Sequence, residues 1–374
     1  MWAPVSQPLR VLHTAAAASF VVAHFPLWLL FYIPPPFRQR PAWTYRQALV
    51  TTLLKVFLRN FSISQPRAPL SLDPGAGKER FVVVEPGPSS IYTGSAVDAA
   101  IIPARMGSTW YPTVYSGDSN GFVVLHFHGG AYVMGDGRSD TCGYIAHILQ
   151  EHAGAAFVFC PQYRLAQNPG GRFPAPLQDA ITAYAYLVHT LGIPPDRIVV
   201  SGDSAGGHLA LMLLRYIAES AMSVLPRPRC ACLFSPWTNV AESVDAATWT
   251  GNSNYRSDYI PARFAAWGAC AFLGDGMDEQ HPYASPARHP FPTPCPLFVQ
   301  TGGSEVLCTD NKKLVSKMAA ISTLPVELHV EDNTPHDIVM MANIMGFEQE
   351  ARRCMEMANA FIRSSMESAN RTTP

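Results

Sequence analysis

Two patterns of hydrophobic and polar positions alternate along most of the chain. Short continuous apolar runs, such as GFVVLHF at 121–127 and AAFVFC at 155–160, are typical of buried strands, whereas longer segments with apolar positions three and four residues apart are typical of helices. This alternation predicts a mostly parallel central sheet with helices on both faces. Strands are predicted over 80–85, 121–127, 155–160, 197–201, 230–234, 296–301 and 325–331, and helices over 139–152, 176–191, 204–219, 310–321 and 338–363.

The N-terminal segment, residues 1–60, departs from this alternation. Positions 11–33 are 23 residues without a formal charge, which is long enough for a helix across a bilayer core of about 30 Å. His13, His24 and Pro26 interrupt the segment, and a second, amphipathic helix is predicted over 43–61. Residues 11–33 are therefore predicted to contact a membrane, with an apolar helix packed over the mouth of the main domain as the alternative.

Basic residues follow the apolar segment at Arg38, Arg40 and Arg46, whereas only Arg10 precedes it. Because basic residues concentrate on the cytosolic side of membrane helices, we expect a membrane-associated, single-pass protein whose main domain lies in the cytosol. A soluble cytoplasmic protein is the alternative.

Two changes of composition divide the rest of the chain. A proline-rich stretch at 62–78 is typical of a linker, and residues 240–290 interrupt the strand–helix alternation with many aromatic side chains. Ligands of parallel sheets bind at the carboxyl ends of the strands, so we expect residues 240–290 to form a helical cap over that edge. The main domain is then predicted over 61–239 and 291–374.

Composition excludes several functional classes. The chain has 374 residues, of which 48% are hydrophobic and 15% are charged, so it is not largely disordered. Its 27 basic and 28 acidic residues give a net charge of −1, which offers no basic excess for nucleic acid. The eight cysteines form no CxxC pair and no zinc-like spacing with histidine, so neither a metal nor a cofactor is expected. Most of them are predicted to be small buried side chains, with disulfides as the alternative in a lumenal domain.

Residues 202–207, GDSAGG, carry the strongest chemical signal. They follow a predicted strand and open a predicted helix, which is the context of a nucleophile elbow. The glycines two residues before and two residues after Ser204 leave room for a sharp turn that exposes the serine oxygen. Ser204 is therefore the predicted nucleophile, and a merely tight glycine turn is the alternative.

Residues 126–131, HFHGGA, directly follow another predicted strand. Gly129 and Gly130 are small enough to let this loop approach a reacting carbonyl oxygen. Backbone N–H groups aimed at the developing oxyanion contribute about 3–4 kcal/mol each in such reactions. The predicted oxyanion hole therefore consists of the N–H groups of Gly129, Gly130 and Ala205, the last being the residue after the nucleophile.

Three blocks together resemble the hormone-sensitive-lipase-like α/β-hydrolases, a family that includes arylacetamide deacetylases and steryl acetyl hydrolases. The blocks are HGGAYVMG at 128–135, YRLA and FPAPLQDA at 163–166 and 173–180, and GDSAGG at 202–207. The resemblance covers residues 80–364 and implies an α/β-hydrolase fold with serine esterase activity, and the turn before FPAPLQDA resembles fungal members. Ala131 stands where many members have a third glycine, and Gln167 where many have proline.

The family order along the chain is nucleophile, acid, histidine. Glu305 follows the predicted strand at 296–301, on the position that is usually aspartate, and is the predicted acid. Asp310 is the alternative acid, although its place at the start of a predicted helix suits a helix cap. His336 lies in the loop after the last predicted strand, 31 residues beyond Glu305, and is the predicted base.

The resemblance implies hydrolysis of a small hydrophobic ester by double displacement, in which His336 deprotonates Ser204 and Glu305 orients His336. Transfer of the acyl group within one substrate, giving a lactone or another cyclised product of secondary metabolism, uses the same residues and is the first alternative. A ligand-binding homologue without catalysis is the second. No nucleic-acid partner is expected.

Overall fold

An eight-stranded sheet forms the centre of the computed structural model, which describes residues 7–117, 121–220, 225–278 and 280–370. Residues 1–6, where the predicted N-terminal segment begins, lie outside the described part. In chain order the strands are β1 Phe81–Val84, β2 Met106–Tyr111, β3 Val123–Phe127, β4 Phe157–Pro161, β5 Ile198–Asp203, β6 Cys230–Phe234, β7 Leu297–Gly302 and β8 Val326–Glu331.

The spatial order of the sheet is β1-β2-β4-β3-β5-β6-β7-β8. The pairs β1–β2 and β2–β4 are antiparallel, and the remaining pairs, from β4 to β8, are parallel. The sheet is therefore mostly parallel, as predicted, and the carboxyl ends of β3, β5, β7 and β8 lie at one edge.

Helices cover the sheet in two groups. The described residues contain α1 Gln7–Phe31, α2 Tyr45–Ser64, α3 Ser139–Glu151, α4 Ala175–Ala185, α5 Ser204–Glu219, α6 Ala246–Thr250, α7 Ala262–Leu273, α8 Cys308–Ile321, α9 Ile338–Met345 and α10 Glu348–Asn370. Helices α4 and α5 pack together, and α5 lies on β3, β5 and β6, whereas α3 and α10 pack together and contact β2, β4 and β6–β8. The predicted α/β-hydrolase fold is confirmed.

Three elements differ from the prediction. Strand β2 was not predicted, because its sequence MGSTWY has no apolar run, yet all six residues are buried between β1 and β4. The single helix predicted over 338–363 is wrong, since Gly346 ends α9 in a left-handed conformation with φ +87°. The helix predicted over 176–191 ends at Ala185 and continues as a wider π turn over residues 186–190.

A buried ion pair joins two of the sequence blocks. The Arg164 guanidinium lies 2.8 Å from the Asp179 carboxylate on α4, and the Arg164 backbone N–H donates to the same carboxylate at 2.7 Å. Burial raises the pKa of Asp179, and the charge and hydrogen bonds of Arg164 oppose this rise. The pair fixes the segment 163–166 against α4, and so sets the position of Tyr163 beside the site.

Helices α1 and α2 form an N-terminal pair, and α2 packs on α7. The Tyr45 hydroxyl donates to the Leu29 carbonyl at 3.0 Å, and Phe61 of α2 packs on Trp267 of α7 with 5.8 Å between ring centroids. The segment Leu12–Phe31 has a mean hydropathy of 1.7 over 20 residues, and it is the one helix among the described residues that is long and apolar enough to cross a membrane.

Candidate active site

The nucleophile elbow is a direct junction between β5 and α5. Ser204 begins the helix in a left-handed conformation with φ +50°, a strained state for a residue with a Cβ atom. A Cβ at Gly206 would lie 1.9 Å from the Phe127 carbonyl oxygen, and one at Gly202 would lie 2.3 Å from the Gly206 carbonyl oxygen. Both positions therefore require glycine, and the turn presents Ser204 at the positive end of the helix dipole.

A chain of hydrogen bonds joins three of the predicted site residues. His336 Nε2 lies 2.9 Å from Ser204 Oγ, and His336 Nδ1 lies 3.2 Å from Glu305 Oε2. Glu305 and His336 are buried, whereas the serine is partly accessible. Asp310, the alternative acid, pairs instead with Lys313 on α8 at 3.4 Å.

The second oxygen of Glu305 has its own partners. Thr301 donates its hydroxyl to Glu305 Oε1, and Asn311 Nδ2 donates to the same oxygen at 3.3 Å. Thr238 in turn donates to the Asn311 side-chain oxygen at 3.1 Å. These side chains leave Glu305 Oε2 directed at His336. They were missed in the sequence because they come from separate elements and follow no spacing rule.

Glu305 also controls the acidity of His336. Burial alone would lower the pKa of His336, but the hydrogen bond and negative charge of Glu305 outweigh it, and the pKa is raised above the ordinary value of 6.5. The neutral imidazole, which can accept a proton from Ser204, is then the main form only above this raised pKa.

The loop after β3 closes over the elbow. Gly130 has φ +106°, and a Cβ at Gly129 would lie 2.2 Å from Asp203 Oδ2 and 3.1 Å from Ser204 Cβ. Tyr163 fixes this loop by donating its hydroxyl to the His128 carbonyl at 2.6 Å. Gly129 thus packs directly on Ser204, while Ala205 lies in the first turn of α5, where backbone N–H groups have no partner within the helix.

A second serine–histidine–aspartate cluster lies beneath the elbow. His126 Nε2 is 3.0 Å from Asp203 Oδ1, and His126 Nδ1 is 3.1 Å from Ser201 Oγ. All three residues are fully buried, with relative exposures of 0%. Ser201 lies within β5 between two neighbouring strands, so an ester has no access to its oxygen.

Asp203 also meets a second buried carboxyl group, that of Asp337. Burial, together with the negative charge of Asp203, raises the pKa of Asp337 well above its ordinary value. Burial would raise the pKa of Asp203 as well, but its hydrogen bond with His126 keeps this pKa below the ordinary value. The pair therefore holds one proton on Asp337, the residue directly after His336.

A small apolar pocket opens above Ser204 and His336, with an empty volume of about 260 Å³. Two tryptophans form its bulkiest walls, one that follows β6 and one from α6. The remaining lining is supplied by Ala131, Ile260, Phe264, Ala265 and Leu307, in addition to Trp237 and Trp249. Such a surface suits a small uncharged group.

One group outside this pocket, within the described residues, could hold a metal. His329, Glu331 and Cys354 place one ligand atom each within 4.8 Å of one another. The Arg353 guanidinium pairs with Glu331 at 2.5 Å and already balances that carboxylate. The group lies at the end of β8 and has no contact with the pocket lining.

Comparison with known proteins identifies the family. A family model described as alpha/beta hydrolase fold matches residues 124–340. An acetyl-hydrolase of Streptomyces hygroscopicus is 31% identical over 246 residues, which are 66% of this chain and 77% of that protein. Esterase LipU of Mycobacterium tuberculosis is 29% identical over 265 residues, which are 67% of this chain and 81% of that protein.

A solved structure of an esterase from the bacterial hormone-sensitive lipase family has the same fold. It superposes with a TM-score of 0.61 at 24% identity and covers 87% of this chain and 99% of that one. The chain belongs to the α/β-hydrolase family, in its hormone-sensitive-lipase-like group. The predicted family and the predicted general activity, hydrolysis of carboxylic esters, are confirmed.

The shared proton predicts a specific pH dependence of stability. The unfolded chain loses the Asp337 proton near pH 4, roughly, whereas the folded protein keeps it to much higher pH. The contribution of Asp337 to wild-type stability therefore falls as pH rises above about 4, by up to about 1.4 kcal/mol per pH unit, until the raised pKa is passed. In Asp337→Asn an amide donor replaces the proton and does not titrate, so the variant is expected to gain stability over wild type with increasing pH.

Thermal unfolding between pH 4 and pH 9 measures this difference. The partly buried acid of α8 supplies the control, since Asp310→Asn also replaces a carboxyl group by an amide, but one that pairs with Lys313. A constant offset between Asp337→Asn and wild type across this range contradicts the shared proton.

Proposed function

We propose that Ser204 is the nucleophile of this ester hydrolase, His336 its general base and Glu305 the acid that orients the base. The observation that carries the proposal is the continuous hydrogen-bond chain from Glu305 through His336 to Ser204, which ends on the pocket. The buried cluster of Ser201, His126 and Asp203 has no such opening. We assign that cluster to supporting the elbow from below.

The proposed reaction proceeds through an acyl-enzyme. His336 Nε2 takes the proton of Ser204 as Oγ attacks the carbonyl carbon, and the N–H groups of Gly129, Gly130 and Ala205 hold the resulting oxyanion. His336 then gives the proton to the departing alcohol, and a water molecule, deprotonated by the same imidazole, releases the acid and restores Ser204. Glu305 stabilises the imidazolium form in both steps and itself stays ionised.

We propose a short acyl group for the substrate. Two tryptophans and several other apolar side chains line the space above Ser204 and leave little room for a long acyl chain. The relative from Streptomyces hygroscopicus is named an acetyl-hydrolase, which is consistent with a short acyl group. We assign the roof of the pocket to a cap of residues 240–290, covered by the N-terminal segment 1–60, and the floor to the domain at 61–239 and 291–374.

We do not propose the two alternatives, acyl transfer within one substrate and ligand binding without turnover, but the experiment below would detect either. The relatives are named as hydrolases and esterases, which favours neither. Turnover in H₂¹⁸O distinguishes them, because hydrolysis places the label in the released acid and cyclisation does not.

Replacing the nucleophile tests the assignment directly. Ser204→Ala is expected to lower kcat for p-nitrophenyl acetate by about 10⁶-fold, because no acyl-enzyme can form. Across p-nitrophenyl esters from acetate to palmitate, wild type is expected to prefer the short chains. Trp249→Ala is expected to move this preference to longer chains by enlarging the pocket.

The matched control is the serine of the buried cluster. Ser201→Ala is expected to keep kcat within a few-fold of wild type. The proposed nucleophile is contradicted if Ser201→Ala loses both activity and fluorophosphonate labelling while Ser204→Ala retains both.

Replacing the acid tests the base and its pKa together. Glu305→Gln is expected to lower kcat by about 10⁴-fold, as in a triad whose imidazole is held in the wrong tautomer. Because Glu305 raises the pKa of His336, the acid limb of kcat/KM is expected to move to lower pH in this variant. The measurement is the pH profile of p-nitrophenyl acetate hydrolysis from pH 4.5 to 9.

The rival carboxylates supply the controls for this profile. Asp310→Asn is expected to keep both kcat and the acid limb of wild type. If the pH profile of Glu305→Gln matches that of wild type and the acid limb of Asp203→Asn is displaced, the acid is Asp203 instead.

We also propose that α1 attaches the protein to a membrane, with the catalytic domain on the cytosolic side. Along this helix Val22 and Leu27 are 74% and 60% exposed, in a segment of which no part is buried. A helix so placed brings the pocket close to esters dissolved in lipid. Soluble monomers rarely leave so large a contiguous apolar surface exposed to water as that of α1.

Charges on the exposed face test the attachment. The double variant Val22→Asp/Leu27→Asp is expected to leave the membrane fraction on carbonate extraction, since each aspartate costs about 2.5–3.5 kcal/mol in a bilayer core. Val97→Asp, at an equally exposed valine remote from α1, is expected to stay with the membranes. Equal extraction of wild type and the double variant contradicts the anchor.

A further inference from the structure

The stretch between α1 and α2, residues 32–44, reaches both loops that carry the proposed acid and base; we call it the connector. We propose that Arg40 and Trp43 of the connector are positioning residues, which hold Glu305 and His336 in their catalytic geometry. The inference rests on the roles proposed above for Glu305 and His336. Neither connector residue touches the pocket or Ser204, so each acts through the loop that it holds.

Arg40 acts on the acid loop through Asn254. The Arg40 guanidinium donates to Asn254 Oδ1 at 2.6 Å, and this bond fixes the orientation of the amide. Asn254 Nδ2 then donates to the backbone carbonyls of Gly303 at 3.2 Å and Glu305 at 3.0 Å. The backbone of the proposed acid is thus held through its own carbonyl and that of Gly303.

Neighbouring residues of the cap complete this hold. Ser257 donates its hydroxyl to the Ser304 carbonyl at 2.9 Å, and the Val306 backbone N–H donates to the buried Asp258 carboxylate at 2.7 Å. On the outer side Lys55 of α2 donates to the Asp258 carbonyl at 3.0 Å. Arg40 and Lys55 therefore fasten one cap segment, 254–258, onto the acid loop.

Trp43 acts on the histidine loop. Its indole N–H donates to the backbone carbonyl of Asn333, three residues before His336, and the indole is almost fully buried. Asn333 has φ +57°, so the chain turns sharply at the residue that Trp43 holds. The ring also packs edge-on against Phe347, with centroids 5.6 Å apart, on the far side of α9. One side chain thereby supports both ends of the segment that carries His336.

The connector is built to hold these two side chains firmly. Arg38 donates to the carbonyls of Tyr32 at 3.0 Å, Ile33 at 3.0 Å and Trp43 at 2.7 Å, which closes the connector into a compact turn. Gln39 ties the turn to α2 through the Ala48 carbonyl at 3.0 Å. Arg40 and Trp43 therefore extend from a turn that is fixed at both ends.

Small displacements matter at this site. A misplacement of about 1 Å of a catalytic group can cost about 100-fold in rate. Loosening either loop weakens the contact between Glu305 and His336, and that contact keeps the imidazole oriented. A positioning role therefore predicts a fall in kcat with little change in KM, together with a displaced acid limb, which a loss of stability alone does not produce.

Two conservative variants of the full-length protein in mild detergent test the proposal. Trp43→Phe keeps a ring against Phe347 and removes the N–H donor. Asn254→Asp keeps an acceptor for Arg40 and removes both donors to the acid loop. Each is expected to lower kcat for p-nitrophenyl acetate by about 10- to 100-fold, to change KM by no more than a few-fold, and to move the acid limb toward that of Glu305→Gln.

Arg46→Gln is the matched control. Arg46 is another arginine of the N-terminal segment, and it donates to the carbonyls of Asn343 at 2.6 Å and Ile344 at 3.2 Å on α9, without touching either loop. Its loss is expected to leave kcat, KM and the acid limb at wild-type values. Arg40→Lys, which keeps the charge and one donor, is expected to retain more activity than Arg40→Gln.

The outcomes separate this inference from the proposed function. The positioning role is overturned if Trp43→Phe and Asn254→Asp both keep the wild-type kcat and acid limb. The proposed triad still stands in that case, provided that Ser204→Ala and Glu305→Gln are inactive. A wild-type profile in Glu305→Gln overturns the triad itself. If circular dichroism shows that Asn254→Asp is unfolded, Trp43→Phe decides alone, because it retains the buried ring.

Discussion

The close approach of α5 to the end of β3 is the constraint on which the site depends. A methyl group at Gly206 would overlap the Phe127 carbonyl, so helix and strand meet only because that position has no side chain. The same approach forces Ser204 into a left-handed conformation and brings Gly129 against it. The proposed nucleophile and the proposed oxyanion loop are thus placed by one backbone contact. The serine oxygen consequently stands clear of the helix instead of being enclosed by it.

Buried charge is the second organising element. Four carboxyl groups, those of Asp203, Asp258, Glu305 and Asp337, lie in the interior near the imidazole of His336. Burial raises the pKa of Asp258 and Asp337, whereas the hydrogen bond with His126 lowers that of Asp203. Among these carboxyl groups, Glu305, which contacts the imidazole of His336, contributes most to raising the pKa of that imidazole.

The sequence predicted those parts of the molecule that depend on local pattern. Ser204 and its glycines lie within six residues, and the strand runs before Glu305 and His336 place both at the same sheet edge. Strand β2 was missed because its burial comes from two neighbours rather than from its own apolar content. The contact of Trp43 with Asn333 joins positions 290 residues apart, and no spacing rule links them. Tertiary packing alone decides such contacts.

The order of elements at the N-terminus has a practical consequence for preparing the protein. The apolar helix ends at Phe31, and the first side chain of the connector begins one residue later. A chain shortened to begin at Tyr32 loses the exposed apolar surface of α1, whereas one shortened to begin at Tyr45 also loses the guanidinium of Arg40 and the indole of Trp43, which contact Asn254 and Asn333. An inactive soluble fragment of the second kind would therefore be misread as proof that ester cleavage requires lipid.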